Sequence, residues 1–355
     1  MGAVTPGLVC GHHHLYSSLA RGMPPPPARP TTFVEILQQV WWRLDAALDL
    51  EMLRWSALLG ATEALMGGTT AIIDHHESPA AIEGSLSVIA GACAEVGVRV
   101  ITAYGVTDRW DDQGRLQDDD WPPPKMTDAA RRGLAENERF LREGGRGMVG
   151  VHAAFTCSDD TLASAAGLAE DLGVGVHVHV AEGIVDRDAG ARLADLARDD
   201  WLLVHCVHLD RDLPGTIAHN PRSNMNNGVG YARPAGRPNP VVLGTDGIGA
   251  DMLEEFRLAY AAHRADDVLA SPDAAWSWVQ EGYRFIPESA ADRVTWNYDH
   301  ADSPWHLAFT PGVRALEVVS GDGEVLVADG LPTRVDLDEV RAHAAEQAAR
   351  LFSRL

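Results

Sequence analysis

Val174-Gly175-Val176-His177-Val178-His179-Val180-Ala181-Glu182 is a β-branched run that carries two histidines and closes on a glutamate. Such a short apolar run predicts a buried strand over Val174–Val180, with His179 at its carboxyl end and Glu182 on the following turn. The same design recurs along the chain. Val4–Val9 leads into Gly11-His12-His13-His14, Trp201–His205 ends on a histidine, Thr216–His219 ends on another, and Val241–Thr245 runs into Asp246. Thr69–Asp74, Val98–Tyr104 and Gly147–His152 bring the candidate strands to eight. Amphipathic stretches such as Leu50–Met66, Ala80–Val96, Thr127–Arg142 and Asp159–Leu172 alternate with them, and Gly67-Gly68 and Gly173 stand where helices want a left-handed cap. Eight βα alternations predict an α/β chain closed into a (β/α)8 barrel, and no G-x-G-x-x-G follows any strand to favour an open dinucleotide-binding sheet. In such a barrel, side chains at the carboxyl ends of different strands meet at one mouth.

The pattern changes after Leu307. Val313–Val319 and Glu324–Ala328 flank Gly321-Asp322-Gly323, a hairpin signal, and an amphipathic helix runs from Leu337 to Leu355. The expected organisation is a barrel over residues 1–310, then partial β-sandwich strands and a terminal helix over 311–355. Two loops that follow strands can cover the barrel mouth. Arg21–Pro30 is held extended by Pro24 to Pro27, and Asp111–Pro124 is acidic and proline-rich.

A net charge of −22 over 355 residues argues against nucleic acid, whose phosphates this field repels. Cys10, Cys93, Cys157 and Cys206 are far apart and lack C-x-x-C spacing, so reduced, buried thiols in a cytoplasmic protein are expected. No basic region followed by an apolar run suggests a signal peptide, and no apolar stretch suggests a membrane span. The expected partner is a small molecule, with homo-oligomerisation left open.

In a strand, His12 and His14 point the same way and can address one ion, while His13 faces the other side. His179 supplies a third nitrogen. His177 shares its parity and competes for that role, but a core imidazole is the preferred reading. Glu182 is placed to approach a metal-activated water without ligating, as a general acid and base. His205 is either a ligand or a neutral imidazole that orients the water. Asp246 can bind the ion and accept the water's proton. His75 and His76 after the second strand, and His219 and Asn220 in His219-Asn220-Pro221-Arg222-Ser223-Asn224, are candidates for binding the substrate. His208 reads as structural, and Trp41, Trp42 and Trp55 read as core. No G-x-S-x-G, P-loop or H-E-x-x-H is present.

Taken as a set, Pro6-Gly7-Leu8-Val9 before His12-x-His14, His179-Val-Ala-Glu182, His205-Cys-Val-His-Leu, His219-Asn-Pro-Arg-Ser-Asn and Gly244-Thr-Asp246-Gly resemble the amidohydrolase superfamily. The likeness is to its guanine deaminase and s-triazine hydrolase branch, and Arg21-Gly22-Met23, Asp74-His75-His76 and Ser223-Asn224-Met225-Asn226-Asn227 look closest to SsnA-type aminohydrolases. The resemblance implies one divalent ion, zinc or else iron, held by His12, His14, His179 and Asp246, with Glu182, His205 and Asp246 catalytic. It implies hydrolysis of a non-peptide C–N bond, an amino group on a nitrogen heterocycle. Hydrolysis of a cyclic amide or a chloro-heterocycle at the same site, or a catalytically silent metal-binding or assembly homologue, are the alternatives. Three departures stand out. Family members have β-strands ahead of the barrel, so Glu324–Ala328 is expected to lack partners here. Val207–Gly215 is too short for a helical crossover, and Gly183–Asp200 looks trimmed.

Overall fold

The computed structural model describes residues 2–111, 113–117 and 121–355. The run expected as one strand over Val4–Val9 is two. Strand β1 (Val4–Thr5) and strand β2 (Leu8–His14) are separated by Pro6, which has no N–H to give a ladder, and by Gly7, where a Cβ would lie 2.3 Å from Thr70 Oγ1. The histidine triplet therefore lies inside β2 rather than beyond its end. Next come β3 (Thr69–His76), β4 (Arg99–Tyr104), β5 (Val149–Ala153), β6 (Val176–Val180), β7 (Leu202–His205), β8 (Thr216–His219), β9 (Val241–Leu243) and β10 (Asp246–Gly247). The helices Leu50–Met66 and Asp159–Leu172 run between the residues expected, started by Asp49 and Ser158 side chains that accept from the third residue on. Gly173 ends the second in the left-handed conformation at φ +66°.

β10-β2-β3-β4 and β5-β6-β7-β8-β9 are parallel ladders. Parallel bridges Thr102–Gly147 and Val106–Val151 join the first ladder to the second. On the other side, β10 continues from β9 and pairs with β2, with the Thr245 amide donating to His12 O at 2.9 Å. The strands thus run right round a ring, which is the expected α/β barrel. Their pleat sorts the side chains. Ala71, Ile73, Leu202 and Val204 fill the barrel interior, while Ile72 and Leu203 face the helices.

Between β7 and β8 no helix forms among the described residues, in keeping with the short spacing. Arg237 donates to Leu209 O and Asn239 to both Leu213 O and Gly215 O, so these side chains strap the loop where a helix would otherwise pack. Residues 183–200 carry one turn and the five-residue helix Ala189–Leu193.

Strands β11 (Arg293–Trp296), β12 (Ala315–Val319), β13 (Val325–Ala328) and β14 (Leu331–Pro332) form an antiparallel sheet in the order β1-β11-β12-β13-β14. The expectation that Glu324–Ala328 lacks partners is corrected, because β13 lies between β12 and β14. β11 was not foreseen in the sequence, and it lies on the barrel side of the 310/311 division. The terminal helix Leu337–Phe352 packs on Leu50–Met66, with His343 stacked on Trp55 at 4.2 Å. Of the loop expected over Asp111–Pro124, residues 112 and 118–120 lie outside the described residues. No helix among the described residues is long and apolar enough to cross a membrane.

Candidate metal centre

Four histidines and an aspartate from different strands converge at the carboxyl end of the barrel. His12 and His14 come from β2, His179 from β6, His205 from β7 and Asp246 from β10. Ligand atoms of His12, His179 and His205, of His12, His14 and Asp246, and of Glu182, His205 and Asp246 lie within 4.8 Å of one another in each trio. His14 Nε2 is 3.0 Å from Asp246 Oδ1, and His12 Nε2 is 3.6 Å from the same oxygen. The other Asp246 oxygen is 3.6 Å from His205 Nε2, and Glu182 Oε2 is 3.5 Å from that nitrogen.

The far side of His14, His179 and His205 settles which nitrogen faces the centre. His14 Nδ1 donates to His75 O and His179 Nδ1 to His152 O, both at 2.6 Å. His205 Nδ1 donates to Asn224 Oδ1 at 2.7 Å, and His12 Nδ1 lies 2.8 Å from His177 Nε2. A ring that donates through Nδ1 presents a bare lone pair at Nε2 when neutral. Burial pushes His12 and His179 well below the usual imidazole range, which keeps them neutral. Their lone pairs then point at one small volume: His179 Nε2 is 3.3 Å from His14 Nε2, and the Nε2 atoms of His12 and His205 are buried with no hydrogen-bond partner among the described residues. A cation among these nitrogens satisfies them, and without a metal ion a proton on His14 takes that place. Imidazole nitrogens with one carboxylate are donors suited to zinc or another borderline divalent ion, so His12, His14, His179, His205 and Asp246 fit such an ion. The centre attracts positive charge. Against the effect of burial, Asp246 raises His14 to about 9, and in turn, again against burial, His12 and His14 hold Asp246 well below the usual carboxylate range.

Backbone strain collects at the same rim. Ala181, His205, Cys206, Asp246 and Ile248 all adopt positive φ, with His205 at +70° and Asp246 at +55°. Each such residue costs on the order of 1–3 kcal/mol, held here by surrounding contacts. Arg222 supplies several of them, reaching Thr245 O, Gly247 O and Gly249 O while Glu255 holds its guanidinium. The polar stretch after β8 thus acts from behind the centre. Asn224 anchors His205, and Asn227 donates to Glu182 Oε1 at 3.1 Å.

A cavity of about 60 Å³ opens over these residues, lined by His14, His179, His205, Glu182 and Asp246 and also by Phe33, Trp41, Trp42 and Asp45. Of the four residues expected to contact substrate, only His75 lines it. Its Nε2 is 3.0 Å from Val151 O and its ring is 4.6 Å from that of His179. The other three do not line it. His76 turns to Ser78 Oγ at 2.7 Å, because β3 extends two residues further than expected and places it on the opposite face from His75. His219 is buried against Tyr231 and Trp278, and Asn220 is buried with its amide on Ala218 O. Trp42 is buried core as expected, with Trp41 packed against the same cluster, and both also line the cavity. Tyr16, Asp45, Glu77 and His152 line it too and were not singled out. Glu77 directly follows Asp74-His75-His76, so its position after a strand was a signal. Asp45, inside an apolar helical stretch, offered only its own polarity.

Residues 3–280 match the amidohydrolase family. The chain is 30% identical over 390 residues to a 5'-deoxyadenosine deaminase of Methanococcus maripaludis, covering 96% of this chain and 86% of that one. It is 28% identical over 410 residues to a 5-methylthioadenosine/S-adenosylhomocysteine deaminase of Symbiobacterium thermophilum, covering 98% and 86%. Among solved structures it superposes on a zinc-complexed atrazine chlorohydrolase TrzN of Arthrobacter aurescens (TM-score 0.79, 22% identity, 97% and 88% covered). It also superposes on an adenosine deaminase of Xanthomonas campestris with bound zinc (TM-score 0.78, 20% identity, 99% and 86% covered).

Proposed function

This chain belongs to the amidohydrolase family, and on that premise we propose that it removes an amino group from a nitrogen heterocycle by hydrolysis. Relatives named as deaminases along nearly the whole chain support the reaction class, a hydrolase acting on C–N bonds outside peptides. The observation that carries the reading is the set of Nδ1-anchored imidazoles whose Nε2 atoms face one point beside Asp246, with Glu182 at its edge. His12, His14, His179 and Asp246 would hold one divalent ion, zinc in the first place and iron as the alternative. Such an ion, when bound, lowers the pKa of a water toward neutrality.

The protein's own groups do the rest. Asp246, kept ionised by His12 and His14 despite burial, accepts the proton of the attacking water and later passes one to the departing amine. For Glu182, burial and then the Asp246 charge outweigh His205, so its carboxyl is raised and can carry a proton to the ring nitrogen beside the reacting carbon. Asn227 fixes the Glu182 carboxyl for that transfer. His205, locked by Asn224, aims Nε2 at the water from between Glu182 and Asp246. Indole and phenyl side chains line the cavity beside these groups.

The test is metal content of the purified protein, followed by ammonia release from adenine nucleosides, guanine, pyrimidines and pterins. Stoichiometric metal with ammonia from at least one ring is expected. Full metal with no ammonia from any of them would favour the silent homologue, and release of chloride or ring opening instead would move the chemistry to the alternatives.

A further inference from the structure

Across the cavity from the histidines, Asp45, Glu77 and Arg109 form an ionic group with no side chain more than 2% exposed. Arg109 Nη2 is 2.8 Å from Asp45 Oδ2 and 2.6 Å from Glu77 Oε1. The guanidinium is sandwiched between the rings of Trp42 and Trp110, 4.8 and 5.0 Å from their centres, and Trp110 Nε1 donates to Glu77. Two carboxylates share one guanidinium, in a place where burying an unpaired carboxylate is costly. The imbalance falls on Asp45. Its Oδ1 has no hydrogen-bond partner among the described residues, and burial followed by the Glu77 charge outweighs Arg109, the Tyr16 hydroxyl and His14 and pushes its carboxyl up to about 7. Asp45 and Glu77 line the cavity and Arg109 does not, so the carboxylates and not the guanidinium border the space a ligand enters. Phe33, Trp41 and Trp42 lie on the same wall, and aromatic faces favour cations. Tyr16 spans the gap, lining the cavity with its ring 5.4 Å from that of His14.

We propose that this wall is a cation-recognition subsite, in which Asp45 Oδ1 accepts a hydrogen bond from a positively charged nitrogen group of the substrate, of ammonium, amidinium or guanidinium type. The inference rests on the reading of this cavity as the substrate site. It makes the substrate bifunctional, with a reacting ring at the histidines and a charged arm reaching Asp45. The charged arm gives Asp45 Oδ1 the partner that the described residues do not.

The probes are protonated benzamidine and its neutral near-isostere benzamide, titrated against the zinc-loaded full chain at pH 7.5 by calorimetry and by quenching of the cavity tryptophans. Benzamidine is expected to bind at least tenfold more tightly than benzamide, and in Asp45→Asn the two should come within twofold while zinc content stays unchanged. A preference below tenfold in the wild-type protein, or one that persists in Asp45→Asn, overturns the subsite. Should Asp45→Asn not fold, the wild-type comparison decides alone. Ammonia release is measured separately. Charge-selective binding without turnover would sink the reaction and keep the subsite, whereas turnover without charge selectivity would sink the subsite only.

Discussion

His14 does the most at the residue scale. Its Nδ1 is spent on His75 O and its Nε2 meets both Asp246 and His179, so removing the ring breaks two sides of the centre at once. His14→Ala should lose bound metal, read by elemental analysis, and unchanged occupancy would count against the ligand set. Glu182 is expected to be dispensable for the ion and needed for the proton: Glu182→Gln should keep the metal and lower kcat about 10²–10⁴-fold, the ordinary worth of a general acid–base group. Retained turnover would remove Glu182 from that role. Asn224→Ala frees the His205 ring to rotate or change tautomer, and a fall in kcat of roughly tenfold or more is expected with metal content intact. The histidines could be read from local pattern because type, order and strand position agreed. Their anchors could not, since His75 O, His152 O and Asn224 become neighbours only when β3, β5 and the segment after β8 stand side by side.

At the scale of the element, the strand ends hold the site and the strand starts hold the barrel. Gly11 lies where β2 meets β9, and a Cβ there would be 2.2 Å from Val242 Cγ2 and 2.9 Å from Leu243 O. Neither is the free end of a long chain, so Gly11→Ala should cost about 1–3 kcal/mol and lower Tm measurably in thermal unfolding. An unchanged Tm would mean the barrel closes more loosely there than described. Helix bounds were legible where a cap and an apolar period coincided, as at Asp159–Leu172. Strand β1 was not, because two residues carry no periodicity and its partner β11 lies far along the chain. The loop between β7 and β8 shows a similar limit. Its shortness was evident from the spacing, but the Arg237 and Asn239 strap that lets a parallel pair survive without a helix depends on residues beyond β8.

For the whole molecule, 29 basic against 51 acidic residues leave a compact body repelling itself. Raising ionic strength from about 10 mM to about 200 mM shortens the screening length to under roughly 10 Å. Tm should therefore rise, and a flat or falling Tm would show that opposite charges are already arranged to cancel. The same acidity suits a cavity wall that asks for a cation. Local order in the chain was enough for most of the barrel strands, the longer helices up to Leu172, the terminal helix and the barrel, because backbone preference and side-chain parity act over a few neighbours. Which of the polar residues turn inward depended on packing across the ring. His75 reaches the cavity while His76, His219 and Asn220 turn away from it, and Asp45 comes to face the histidines from a helix that reads as core. Those choices follow from which unpaired groups end up sharing one cavity, and only closure of the barrel creates that space.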